Sequence, residues 1–359
     1  MSAQAATTPG RTSRTSRTLR GALRRREAAI ALVLVLVVVG TALVQPSFLL
    51  SGGGWRDLLL TPAILVVLAV GQAMVVFTRN IDLSVGSVLG FTAYVTGSLF
   101  VAVPGIPVVA VTLAAVAVGA LLGLVNGALV AFARVPSLVI TLGTLYVYRG
   151  LVLTWAGSDR IDAGEMPRSF LALGTRQVLT VPVLTIVAAV VLAVAAYYMT
   201  TSRSGRQLYA IGSDPEAADV AGLPVRRRVL TVFVVSGALA GLAGVMFAAR
   251  YGSVSSAAGT GLELQVVGAV VVGGVAIFGG SGTVAGAAIG AMLLVTINRA
   301  LPVVGIPDFW QRAVVGVLIL GAIILDRVLA VRRSRRLAET REAESSGAGA
   351  DDVEHRGSA

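Results

Sequence analysis

Long apolar runs separated by short polar segments fill the chain from about residue 28 to residue 326. Each run is long enough to cross a hydrocarbon core about 30 Å thick as an α-helix. We therefore expect an all-α, polytopic integral membrane protein. The pattern predicts ten transmembrane helices, over residues 28–45, 58–78, 82–103, 106–132, 136–156, 180–200, 229–249, 263–280, 283–301 and 310–326.

Polar segments flank this membrane domain, which we assign to residues 28–328. Residues 1–27 are rich in Ser, Thr and Arg, and residues 329–359 carry many charges. Neither segment contains enough apolar side chains to form a packed core. We expect both to be disordered tails.

The positive charge is placed beside the predicted spans. All 29 basic residues are Arg, and they cluster before the first span, in the segment 201–228 and after the last span. By the positive-inside rule this places both termini and the 201–228 segment in the cytoplasm, which an even number of spans permits. The net charge of +11 is then explained by membrane topology. We expect the protein to reside in a lipid bilayer and not to bind nucleic acid.

The composition excludes several kinds of chemistry. The chain has no Lys and no Cys, and its one histidine, His355, lies in the C-terminal tail. A P-loop, which needs a Lys, is therefore absent, as are thiolate nucleophiles and Cys/His zinc sites. We expect a protein that is not an enzyme, has no ATPase site of its own and holds no cofactor.

A polar break joins the second and third predicted spans without a soluble loop. It contains Asn80, Asp82 and Ser84, and polar groups at membrane depth face one another or a cavity. Two interpretations stay open for Asp82: it caps a helix that begins at Leu83, or it lines a transport pathway. The pattern of helix, Gly-containing break and small-residue helix in 64–90 recurs in 265–291, which indicates an internal repeat.

Three further polar residues of the predicted spans are candidates for the transport pathway. Asn126 lies among small residues, where a hydrogen bond to another helix is the stronger expectation. Glu263 begins a span, where it caps the helix or contacts a soluble partner. Asn298 completes the set of pathway candidates.

Glycines at a spacing of three or four residues predict close helix packing, because lipid supplies no hydrophobic force between helices. The sets are Gly119, Gly123 and Gly127; Gly237, Gly241 and Gly244; and Gly282, Gly286 and Gly290.

The segment 201–228 contains a short predicted helix over residues 215–221. Pro215 is suited to a first helical position, and Gly222 followed by Leu223 and Pro224 ends the helix. A polar helix held between two spans is a suitable docking element for a partner.

Glu216-Ala217-Ala218, with Gly222 four residues further on, resembles the coupling motif of ABC importer permeases. Longer motifs, at 80–87, 134–150, 209–218 and 271–283, resemble the permeases of carbohydrate ABC importers, which include the ribose, xylose, rhamnose and autoinducer-2 systems. Two of these motifs look most like the rhamnose and autoinducer-2 branch.

The resemblance implies a bacterial plasma-membrane subunit that moves a sugar or sugar-like polyol into the cell. It implies three partners: a separate ATPase that binds ATP and Mg, a second permease subunit that is identical or paralogous, and an extracytoplasmic sugar-binding protein. The rival class is an ion-coupled secondary transporter, for which Asp82 and Glu263 are the candidate carboxylates. The resemblance implies that six residues contact the ATPase: Arg206, Asp214, Glu216, Ala217, Ala218 and Gly222.

Overall fold

The computed structural model describes residues 12–51, 53–133 and 135–307, with single positions and pairs between 310 and 324. In these ranges the chain is helical, apart from one 3-10 turn, Ala163–Glu165, and one hairpin of β1 (Gln177–Val178) and β2 (Val181–Pro182). The helices are α1 (Thr12–Val44), α2 (Ser47–Leu50), α3 (Gly54–Leu60), α4 (Ala63–Phe77), α5 (Val85–Ala102), α6 (Val108–Phe132), α7 (Ser137–Ala156), α8 (Arg168–Thr175), α9 (Val183–Thr201), α10 (Arg203–Ser213), α11 (Pro215–Val220), α12 (Val225–Tyr251), α13 (Leu262–Val272) and α14 (Val284–Val303).

Eight helical segments of the described chain are long and apolar enough to cross a membrane. The all-α polytopic class is confirmed. The count of ten is not reproduced: the predicted span 310–326 lies largely outside the described residues, and the C-terminal tail 329–359 lies wholly outside them. α1 begins at Thr12 and so extends into the segment assigned to the N-terminal tail.

The prediction of a membrane-spanning helix over residues 263–280 is wrong. α13 ends at Val272 after 11 residues, which is about 16 Å of helix and too short to cross a bilayer. Gly274 adopts a φ of +87°. The Val275 and Gly274 amides donate to the carbonyls of Val270 and Val271, which is the Schellman motif that ends a helix.

α4 lies at the centre of the bundle, and all of its 15 residues are buried. It is packed against α9, α12, α13 and α14. A helix that is apolar on every side and surrounded by other helices is typical of a membrane-protein core.

α6 and α12 form the most extensive helix pair, and glycines line their contact. A Cβ at Gly119 would overlap the Gly237 carbonyl, and one at Gly123 would overlap the Phe233 carbonyl. The predicted small-residue packing is thus confirmed, because no larger side chain fits between these backbones. Gly244 packs in the same way against α5.

The outer faces of α6, α7 and α9 expose large apolar side chains, among them Val109, Leu121, Leu138 and Val194. Exposed apolar surface of this extent is unfavourable in water and favourable in lipid. These faces therefore form the surface that contacts the bilayer.

Two pairs of helices are each interrupted by a break: α4 and α5 by residues 78–84, and α13 and α14 by residues 273–283. This is the arrangement that the repeat of 64–90 and 265–291 predicts. Discontinuous helices in a membrane protein are tolerated where other protein groups satisfy the freed backbone.

Candidate functional site

The first break turns sharply after α4. Arg79 has a φ of +65°, a conformation that is uncommon for a residue with a side chain. The Asn80 amide Nδ2 donates to the Thr78 carbonyl at 2.9 Å, which holds the turn. Asn80 therefore stabilises the backbone of the break through a local contact.

Asp82 is buried in the break, with 1% of its surface exposed. Its Oδ1 accepts hydrogen bonds from the Ser84 backbone N–H at 2.9 Å and the Ser84 hydroxyl at 2.7 Å. The expectation that Asp82 caps a helix beginning at Leu83 is wrong in register, since α5 begins at Val85 with Ser84 as the preceding residue. Asp82 instead fixes the turn that leads into the helix.

A chain of buried hydrogen bonds runs from this break to α6 and α7. Asn126 donates from Nδ2 to the Ser84 hydroxyl at 2.7 Å, and the Tyr148 hydroxyl donates to Asn126 Oδ1 at 3.0 Å. The predicted interhelical role of Asn126 is present in this geometry. Three of the pathway candidates, Asp82, Ser84 and Asn126, thus lie in one network.

Gln72 and Tyr148 also belong to the network and were not predicted as site residues. With its amide oriented to satisfy both atoms, Gln72 exchanges two hydrogen bonds with the Asp82 backbone, at 3.1 and 3.2 Å. Gln72 could have been recognised as a site residue, because it is a polar side chain within an apolar span. Tyr148 carried no such signal, because an interfacial aromatic anchor is the ordinary explanation for a Tyr near a span end.

The second break is joined to the first. The Gly280 amide N–H donates to the Phe77 carbonyl, the last residue of α4, at 3.2 Å. Gly279 packs against the Arg79 backbone. Thr283 caps α14 by accepting from the Gly286 N–H at 2.9 Å.

Helix α1 reaches the second break as well. The Thr283 hydroxyl donates to Glu27 Oε1, and the Arg26 side chain lies against Gly274. Both ends of the second break therefore contact the segment of α1 just before its apolar part.

α10 packs on both breaks at once. Gly212 lies so close to the Phe77 carbonyl and the Gly280 amide that a Cβ would overlap both. Tyr209 stacks on Phe77 with ring centroids 4.7 Å apart, and its hydroxyl donates to the Gly282 carbonyl at 3.1 Å. A displacement of α10 must therefore move the ends of both interrupted helix pairs.

The hydroxyl of Tyr209 stays protonated at physiological pH. Burial, and secondly the nearby Glu27 carboxylate, raise the pKa of Tyr209 from 10.0 to about 12. A neutral phenol is a hydrogen-bond donor, so its bond to Gly282 persists across the physiological range.

α11 forms where the sequence predicts a short helix, and it follows directly on α10, which was not predicted. Asp214 caps it by accepting from the backbone N–H groups of Glu216 and Ala217, at 3.1 and 3.0 Å. Gly222, with a φ of +78°, ends it in a Schellman motif. Residues 215–220 are therefore fixed as one helical turn and a half by local signals.

The exposed face of α11 is available to a partner. Glu216 and Ala217 are exposed, and Val220 has 91% of its surface exposed, while Ala218 is buried against the protein. Arg206, on α10, is also exposed and donates to the Thr201 carbonyl at 3.0 Å. All six residues of the predicted coupling segment lie in α10, α11, the Asp214 junction between them or the turn after α11.

Glu263 lies at the start of α13 and Asn298 near the end of α14, and in the described residues neither is hydrogen-bonded to the network. Glu263 Oε1 accepts from the Gly261 N–H at 3.1 Å, at the start of α13. Its carboxylate lies against Gly86 of α5. Glu263 therefore fixes the start of α13 against α5, in accord with the capping alternative.

Asp57 of α3 organises the ends of α12 and α14, a region that we call the Asp57 end. It lies 3.8 Å from Arg250 and 3.7 Å from Arg299, so it connects α3 to α12 and α14. Asn298 is the neighbour of Arg299 on α14 and lines a cavity there. In the described residues no group of three His, Cys, Asp or Glu side chains is placed to hold a metal ion.

Two interrupted helix pairs, with α10 packed against both of their breaks and the exposed α11 beside it, are features of a membrane transport subunit. Residues 56–323 match the model of the family "Branched-chain amino acid transport system / permease component". The chain belongs to this permease family, and the resemblance to ABC importer permeases is confirmed.

Curated relatives with the same kind of function in their names are similar to this chain over most of its length. The autoinducer 2 import system permease protein LsrC of Enterobacter sp. (strain 638) is 35% identical over 89% of this chain and 92% of its own length. LsrC of Salmonella typhi is 34% identical over 88% of each chain, and LsrC of Escherichia coli K12 is 35% identical over 76% of this chain and 79% of its own. No solved structure matches the chain significantly.

Proposed function

We propose that this chain is the permease subunit of an ATP-driven importer, and that it carries a neutral, sugar-like polyol across the inner membrane of a bacterium. The observation that carries the proposal is the contact of α10 with both helix breaks through Gly212 and Tyr209. The similarity to LsrC, the autoinducer 2 import system permease protein, supports a substrate of the autoinducer-2 class, with rhamnose, ribose and xylose as related candidates.

The coupling role belongs to α10 and α11 in this proposal. A separate ATPase, which binds ATP and Mg, docks on the exposed face of α11 around Glu216, and Gly222 and Asp214 hold that helix in shape. ATP-dependent movement of the ATPase displaces α10. The displacement reaches residues 78–84 and 273–283 because α10 contacts both, which biases the bundle between two states.

Two other partners complete the assembly. A second permease subunit faces this one, and an extracytoplasmic sugar-binding protein delivers the polyol at the Asp57 end. This orientation puts α10 and α11 in the cytoplasm, in accord with the Arg residues that flank them.

The test is uptake of radiolabelled autoinducer-2, rhamnose, ribose and leucine in cells that carry the complete transport operon. We expect ATP-dependent uptake of a polyol and no uptake of leucine. Glu216→Arg reverses a charge on the docking surface and is expected to lower uptake at least tenfold with normal membrane insertion. Glu216→Asp, which keeps the charge at this exposed position of α11, is the matched control and is expected to transport normally.

Two outcomes would contradict the proposal. Normal uptake by Glu216→Arg removes the docking role of α11. Uptake that collapses with an uncoupler while cellular ATP is held constant indicates the rival class, an ion-coupled secondary transporter.

A further inference from the structure

Two adjoining cavities lie at the Asp57 end, with volumes of about 290 and 440 Å³. Phe247, Tyr251 and Leu262 line both of them, so the two chambers meet at these three side chains, and we describe them together as one cavity. Its size falls in the range of small-molecule sites. We propose that this cavity, which we call the Tyr251 cavity, binds one neutral polyhydroxylated molecule; the proposal rests on the proposed function and assigns its substrate site.

Neutral hydrogen-bonding groups line the smaller chamber. Thr61, Gln265 and Asn298 contribute a hydroxyl and two amides. Asn298 Oδ1 is buried and has no hydrogen-bond partner among the described residues. An unsatisfied buried acceptor costs about 1–3 kcal/mol, and reorientation of the partly exposed Asn298 amide toward the chamber would let a ligand hydroxyl supply the donor. Amides that both donate and accept suit a molecule whose hydroxyls do the same.

An aromatic pair stands where the two chambers meet. The rings of Phe247 and Tyr251 lie 4.5 Å apart between centroids. Aromatic faces pack against apolar C–H surface, and Tyr adds a polar group at its edge. A sugar-like molecule presents both kinds of surface, because its ring carbons carry C–H groups on one face and hydroxyls around the rim.

The charges around the cavity favour a neutral ligand. No carboxylate lines either chamber in the described part of the chain, so the ammonium group of an amino acid has no counter-charge and is costly to desolvate. The two lining guanidinium groups are engaged elsewhere. Arg299 donates to the Gly54 carbonyl at 2.9 Å and lies 3.7 Å from Asp57, and Arg160 lies 3.0 Å from Asp162.

The cavity is connected to the moving parts by α4 and α13. Ile64 and Leu65, near the start of α4, line the smaller chamber, and Phe77, at the end of α4, contacts α10 and the second break. Leu262 and Gln265 of α13 line it too, and α13 leads directly into that break. A ligand in the Tyr251 cavity therefore contacts the far ends of both interrupted helix pairs.

The natural absence of Cys makes site-directed modification of introduced thiols the sharpest test. Gln265→Cys and Asn298→Cys are each made in the full chain, and the complete transporter is treated with a membrane-impermeant thiosulfonate reagent. We expect saturating autoinducer-2 or rhamnose to slow modification of both at least fivefold, and leucine to leave the rates unchanged. Ser158→Cys, exposed in the 157–179 segment, is the control and is expected to react equally with and without polyol.

A second variant separates binding from folding. Asn298→Ala removes one hydrogen bond to the ligand, so the polyol concentration for half-maximal uptake is expected to rise about tenfold, the equivalent of about 1.4 kcal/mol. Cys modification that no polyol slows, in a transporter that imports polyol, would overturn the Tyr251 cavity and leave the proposed function intact. Protection by leucine would overturn the neutral-ligand assignment, and a wild-type transporter that imports no polyol would overturn the proposed function itself.

Discussion

The amide N–H of Gly280 donates to the carbonyl of Phe77 at 3.2 Å, which joins the end of α4 to the loop that precedes α14. This one bond links the two helix breaks of the bundle. Gly212 of α10 covers it, at a distance that leaves no space for a Cβ. Three segments separated by long stretches of sequence thus meet at a single backbone contact.

Gly212→Ala is expected to separate ATP hydrolysis from transport. The added methyl group overlaps backbone atoms of Phe77 and Gly280, which cannot move as a flexible side chain can, so α10 must shift away from both breaks. We expect uptake to fall at least tenfold in the assembled transporter, with ATPase activity retained. The measurement is uptake and ATP hydrolysis in the same proteoliposomes.

Gly143→Ala is the matched control for that variant. Gly143 also lies within a helix, α7, and no described atom comes within 4 Å of the position of a Cβ. Alanine is favoured over glycine in a helix by up to ~1 kcal/mol, so this variant should transport as the parent does. Equal loss in both variants would show that the effect of Gly212→Ala is not specific to the contact with Phe77.

Tyr209→Phe tests the second contact of α10. The variant keeps the stacking on Phe77 and loses the hydrogen bond to the Gly282 carbonyl, so we expect a loss of about 1 kcal/mol in stability. Because burial raises the pKa of Tyr209 to about 12, the stabilisation is complete below pH 10 and declines as the pH rises toward 12.

The measurement is the thermal unfolding midpoint of the parent protein and of Tyr209→Phe in detergent, monitored by size-exclusion chromatography at pH values from 7 to 11. The difference in midpoint should be constant from pH 7 to 9 and should shrink above pH 10. A difference that grows with pH would contradict the assigned direction.

Asn126→Ala is expected to destabilise the bundle by about 1–3 kcal/mol, because it removes two buried hydrogen bonds, although the Ser84 and Tyr148 hydroxyls keep Asp82 and the Leu122 carbonyl as partners. Asp82→Asn should have a smaller effect, since an amide oxygen can still accept from Ser84. The measurement is the thermal midpoint of each purified variant. An Asp82→Asn variant less stable than Asn126→Ala would indicate that the carboxylate charge has a role beyond the turn.

Gly119→Leu is expected to prevent α6 from approaching α12, since even a Cβ at this position overlaps the Gly237 carbonyl. Overpacking of this kind costs typically about 1–3 kcal/mol, and we expect reduced yield of folded protein. Gly150→Leu, with open space around its position in α7, is the control. The measurement is the fraction of protein that elutes as a sharp peak on size-exclusion chromatography, which should be lower for Gly119→Leu than for Gly150→Leu.

Short-range signals in the sequence predicted local structure well. Pro215 at the first helical position and Gly222 after the last are within eight residues of one another, and α11 forms where they place it; the cap that Asp214 supplies was not predicted. The early end of α13 was missed because the apolar run continues through Val275 and Phe278 past the two glycines that break the helix.

Long-range partners were beyond prediction from one sequence. Tyr148 and Asn126 are 22 residues apart, and Asn126 and Ser84 are 42 apart. Which polar groups meet depends on helix packing angles and registers, and an apolar pattern of this uniformity does not specify them. The polar residues of the network were recognisable as unusual, but their pairing was not.

The contact between Glu27 and Thr283 joins residues separated by 256 positions, and α1 packs along α14. During synthesis the first of these helices enters the membrane long before the last is translated. The start of α14 thus acquires its contact with α1 only when about four-fifths of the chain has been made. Closing such a long loop is slow compared with forming local helices, so the second break is among the last parts of the protein to mature in the cell.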